Sequence, residues 1–115
     1  MTTFTEIKTF EENGFEVVVD YTDSQFDPTE DLDEEYANEI IEQLDNCEVS
    51  NLDLRVRVRL DRIQLSEVFL GGVIVEDIND DYTLELIQEL ITEALSEANK
   101  VAKDLLIQLH ALELK

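Results

Sequence analysis

The chain reads as an α+β domain: a small antiparallel sheet of about four strands with two main helices, in the order ββαββα, the last helix long. Three observations point there. Apolar residues alternate at period two over 15–21 and again from Leu52. They recur at helical period in two other segments, ending near 46 and near 114. Turn formers separate the strand segments. At 115 residues with 43% apolar composition, a single acidic domain spanning 1–115 with its own core is expected.

Residues 2–10 read as a strand, and EENG at 11–14 supplies the turn through Asn13-Gly14, the usual pair for positive φ. In the next strand, 15–21, Phe15, Val17, Val19 and Tyr21 share one face. Glu16, Val18 and Asp20 share the other. A loop rich in turn formers follows. Asp27 then suits an N-cap and Pro28 a first helical turn, which predicts a helix to about Asn46. Its apolar stripe is Leu32, Tyr36, Ala37, Ile40, Ile41 and Leu44.

From residue 52 the period is two. Leu52, Leu54, Val56, Val58 and Leu60 point one way; Asp53, Arg55, Arg57, Arg59 and Asp61 point the other. Asp61-Arg62 is a candidate turn into a strand region over 63–75. Gly71-Gly72 within it fits either a tight turn or a bulge in one long strand. Asp80 or Asp81 caps a final helix whose stripe runs through Leu84, Ile87, Ile91, Ala94, Ala98, Val101 and Leu105. Leu90, Leu95, Ala102, Leu106 and Leu109 widen it. At about 1.5 Å per residue this helix exceeds the width of so small a domain. It either breaks near 96–99 or projects and pairs with a partner.

Charge is the strongest signal. The chain has 29 acids against 8 bases, a formal net charge of −21. Residues 1–48 hold 16 acids and the single base Lys8, and residues 76–98 hold eight acids and no base. Residues 49–75 set three acids against four arginines, and 99–115 set two acids against three lysines. Such a field opposes direct nucleic-acid binding and membrane association, and favours a basic partner surface, including one that normally holds nucleic acid.

The arginine row invites a phosphate-tracking reading. A cross-strand ladder is the better one, because the surrounding field repels phosphate and Glu6, Glu16 and Asp20 face the arginines if the first hairpin neighbours them. The acidic helices are different. Glu85, Glu89 and Glu93 recur every four residues, and Glu35, Glu39 and Glu42 nearly do so. A neutral scaffold would interleave lysines to offset like-charge repulsion. The helix and hairpin pattern predicts a partner-binding set of Glu16, Asp20, Asp31, Glu34, Glu35, Glu39, Glu42, Asp45, Glu85, Glu89 and Glu93. A carboxylate array of this kind copies the electrostatic outline of nucleic acid and steers onto basic clefts.

Catalytic, cofactor and metal sites are not expected. The windows 27–38 and 77–88 carry acids at alternating positions but lack the Gly and terminal Glu of a calcium loop. One Cys and one His, Cys47 and His110, make no zinc set, and no phosphate-binding glycine loop occurs. No signal peptide or membrane-spanning run is expected, and a lone cysteine suits a reducing cytoplasm.

The hairpin FEENGFEVVVDY, the stretch DPTEDLDEEYANEIIEQLDN and the stretch EDINDDYTLELIQELITEALSE carry a resemblance. In size, charge and absence of catalytic motifs the chain resembles phage or prophage anti-CRISPR proteins of the acidic, DNA-mimicking kind, most like inhibitors of type I-F systems. The resemblance implies a non-catalytic inhibitor in the host bacterial cytoplasm. It would dock on the basic, DNA-receiving channel of an RNA-guided surveillance complex, as a monomer or homodimer. The main alternative is an acidic dimeric secretion chaperone that holds an effector protein on apolar grooves. An acidic subunit or adaptor of a larger assembly is a third reading.

Overall fold

The computed structural model describes residues 3–25 and 32–113. Its elements are β1 (Thr5–Glu12), β2 (Phe15–Asp23), α1 (Glu34–Asp45), β3 (Ser50–Leu60), β4 (Ile63–Val75) and α2 (Asp81–Glu113). The four strands form one antiparallel sheet in the order β1-β2-β3-β4. The α+β class, the ββαββα order and the long final helix therefore stand as the sequence predicts.

Local chemistry fixes the turns. Asn13 and Gly14 both take positive φ, 56° and 85°, as a two-residue turn between right-twisted strands requires. The second hairpin turns at Asp61-Arg62, between the paired Leu60 and Ile63, with Asp61 at φ 57°. Gly71-Gly72 is a bulge inside one long strand rather than a turn. Leu52 pairs with Val73 and Leu54 with Leu70, so β4 carries the extra residue there. Gly72 sits at φ 69°, and the nearly buried Asp53 carboxylate accepts its N–H at 3.0 Å.

One face of the sheet holds the core. Val17, Val19, Leu54, Val56 and Val58 are fully buried, as alternation predicts, and pack with Ile87, Ile91, Ala94 and Ala98 of α2. The alanines let the helix approach closely. Ser66 ties the layers together, its hydroxyl donating to the Ala94 carbonyl at 2.7 Å. Leu60 departs from the expected alternation. It is exposed, because it lies at the hairpin end, where an open groove separates the sheet from α2.

α1 differs from expectation in its start and its burial, and α2 takes the projecting one of its two expected forms. α1 begins at Glu34, with Asp33 at the N-cap position. The expected start at Asp27-Pro28 falls outside the described residues. None of α1's residues is buried; Leu32, Tyr36 and Ile41 of the apolar stripe are exposed. The apolar sheet face is occupied by α2 and the opposite face is charged, so little apolar surface remains for α1. α2 does not break near 96–99. It runs as one helix of 33 residues, about 50 Å long, and gives the molecule a longest dimension of 64 Å against 28 and 26 Å. Burial along it ends at Ala98, with Ala102 half-buried, so its last three turns overhang.

Candidate functional site

The sheet face away from α2 carries the arginines. Pairing of β2 with β3 sets Asp20 opposite Arg55, Val18 opposite Arg57 and Glu16 opposite Arg59. The Asp20 carboxylate accepts from Arg55 Nε at 2.8 Å and Nη2 at 2.7 Å, a two-point contact. It also accepts from Arg57 Nη2 at 3.0 Å. Arg59 lies 3.7 Å from Glu16. Arg55 stacks on Phe4, its guanidinium carbon 3.6 Å from the ring centroid. The hydrogen bond to Asp20 holds the Arg55 pKa above its ordinary value, against the opposing effect of burial. The row is thus a ladder, and most of its positive charge is offset within the sheet.

Asp20 is the correction among the predicted contact residues. It is 3% exposed and bonded to two guanidiniums, so it offers no carboxylate to a partner. Burial beneath long arginine stems explains this. Glu16 remains exposed, though it is the acid nearest Arg59. Asp31 lies outside the described residues.

The helical acids behave otherwise. Glu34, Glu35, Glu39, Glu42 and Asp45 on α1, and Glu85, Glu89 and Glu93 on α2, are all exposed. Among the described residues none of them has a basic group within ion-pair distance. On α2 the glutamates project opposite Ile87, Ile91 and Ala94, whose burial fixes the helix rotation. The row advances about 6 Å per step. That is close to two base-pair rises of B-DNA, at about 3.4 Å each. Glu97, also exposed, continues the row by one step. The i, i+4 spacing from Glu93 was the signal for including it.

Asp80 starts this helix. Its carboxylate accepts the Thr83 N–H at 2.7 Å and the Asp77 N–H at 3.3 Å. The backbone hydrogen bond from Thr83 lowers the Asp80 pKa below its usual 3.8. Asp77 in turn accepts the Asn79 N–H at 2.9 Å. These acids build a turn and a cap, where a calcium loop would aim them at an ion. Among the described residues no group of three or more metal-ligating side chains converges. His110 is exposed and sits 3.8 Å from Glu113, and Cys47 is exposed. No helix among the described residues is long and apolar enough to cross a membrane.

Compared with known protein families, characterised proteins and solved structures, the chain matches none.

Proposed function

We propose that the protein is a non-catalytic electrostatic mimic of DNA that acts in the bacterial cytoplasm. Its acidic helices occupy the basic, DNA-receiving surface of a nucleic-acid-binding protein and keep DNA out. The first target is the RNA-guided surveillance complex of a type I-F system, on the strength of the resemblance. One observation carries this reading: among the described residues the exposed row Glu85, Glu89, Glu93 has no compensating cation, while Arg55, Arg57 and Arg59 are engaged by Asp20 and Glu16 across the sheet. A protein selected only for solubility needs a net charge of about 2–8 in magnitude, far below −21. Such a row attracts Lys/Arg-lined clefts, with rapid association and strong salt dependence.

The test is a gel shift of purified type I-F surveillance complex with its target duplex, with and without the protein, at two salt concentrations. Loss of the shifted band at low salt and its return at high salt is the expected result. An unaffected shift at low salt removes this target. A second reading, the dimeric secretion chaperone, draws on the exposed leucines of the α2 overhang. Capture of an effector on apolar surface would survive high salt.

A further inference from the structure

The end of the molecule farthest from the acidic rows is apolar. Leu60, Ile63 and Leu65 of the β3–β4 hairpin and Ala102, Leu105 and Leu109 of α2 line an open groove of about 300 Å³. Leu106 and Leu109 on its rim, and Ile107 and Leu112 beyond it, are between 57% and 68% exposed. Monomeric proteins seldom leave apolar patches larger than a few hundred Å² in water. Here the helix continues past the sheet edge with its leucines exposed, and no other element of the described residues fills the groove.

We propose that this patch is the interface of a homodimer, in which the α2 overhangs of two copies pack antiparallel across a two-fold axis and each fills the groove of the other. Charge selects the occupant. The patch is built from the two segments of the chain that are close to neutral, 49–75 and 99–115. Two chains of charge −21 repel one another through any other face. An antiparallel arrangement brings these segments together and directs the acidic halves to opposite ends. It also brings the Glu113 end of each helix to the Lys100–Lys103 end of the other, a self-complementary pairing of the kind two-fold contacts use. A basic partner is drawn instead to the acid rows, and an acidic one is repelled by the whole field.

The size also fits. An overhang of residues 103–113 is about 16 Å long, and one side of it presents on the order of 300 Å². The hairpin tip and groove bring the patch toward the about 800 Å² per partner that stable dimers bury. The proposal rests on burial and charge placement, and holds or fails independently of the DNA-mimic reading.

Sedimentation equilibrium of the full chain over a concentration series, in low and high salt, tests it. The expected species has twice the 13.3 kDa chain mass. Its population rises with concentration and with salt, because salt screens the residual repulsion and leaves apolar contact intact. The double variant Leu106→Glu, Leu109→Glu should be monomeric. Leu112→Glu is a second variant on the free tail, should the first one melt early. A native chain at the monomer mass throughout overturns the proposal, including the case where another protein covers the patch. Dimers that survive these substitutions in folded protein overturn it as well.

Discussion

Asp20 organises the charged face of the sheet. One carboxylate bridges two guanidiniums, and with Glu16 on Arg59 it fixes β2 against β3. Asp20→Asn keeps the shape and removes the charge. Arg55 and Arg57 then lie side by side on β3 with no carboxylate bridging them, and stability should fall by about 2–3 kcal/mol in urea unfolding. That is below the cost of breaking a fully buried pair, because both arginines keep some solvent. Replacing Arg55, Arg57 and Arg59 by Gln should likewise lower stability and leave partner binding intact. A loss of binding alone would contradict the ladder. Asp80 gives a pH signature. Its folded pKa is depressed, so its contribution is fully present above the ordinary 3.8 and is lost as pH falls through the folded value. The first turn of α2 should lose hydrogen-exchange protection in that acidic window. Asp80→Asn, which still caps, should remove this pH dependence. Sequence alternation places Asp20 on one face of β2, but its contact with the arginines and its burial depend on which strand is its neighbour. Register is a long-range property, and local pattern does not reveal it.

The two helices show where local pattern suffices and where it does not. Both have helical periodicity, and both form. Only α2 is buried, because the sheet has one apolar face and the longer stripe of Ile87, Ile91, Ala94 and Ala98 takes it. Periodicity reports that a face is apolar; it carries no information on which of two competing faces docks. The end of α1 falls where the sequence predicts, at about Asn46, although no Gly marks it. The chain leaves the helix through Cys47 at φ 59°. Cys47 N–H donates to the Leu44 carbonyl at 3.1 Å, and Glu48 N–H to the Gln43 carbonyl at 2.9 Å. This is the hydrogen-bond pattern that usually places Gly or Asn in the left-handed position. Cys47→Gly should therefore stabilise α1 locally by about 1 kcal/mol, read as slower amide exchange in the helix. Unchanged or faster exchange would contradict this account of the helix end.

At the scale of the molecule, charge is sorted by element. The strands β2 and β3 balance their own charges, the first half of α2 and all of α1 remain acidic, and the far end of α2 is close to neutral. The acidic blocks and the arginine strand are plain in the sequence, because charge runs follow chain order. That Glu85, Glu89 and Glu93 meet no cation among the described residues follows only once the sheet has claimed Arg55, Arg57 and Arg59. Added salt should raise the melting temperature by screening self-repulsion and should weaken partner binding, two opposite responses from one field. The most direct measurement of the central claim pairs DNA exclusion with thermal melting for Glu85→Gln, Glu89→Gln, Glu93→Gln in one protein. Relief of like-charge neighbours should raise the melting temperature by roughly 2–4 °C. The variant should also fail to displace target duplex from the surveillance complex at low salt. A folded variant that displaces DNA as well as the native chain would contradict the account.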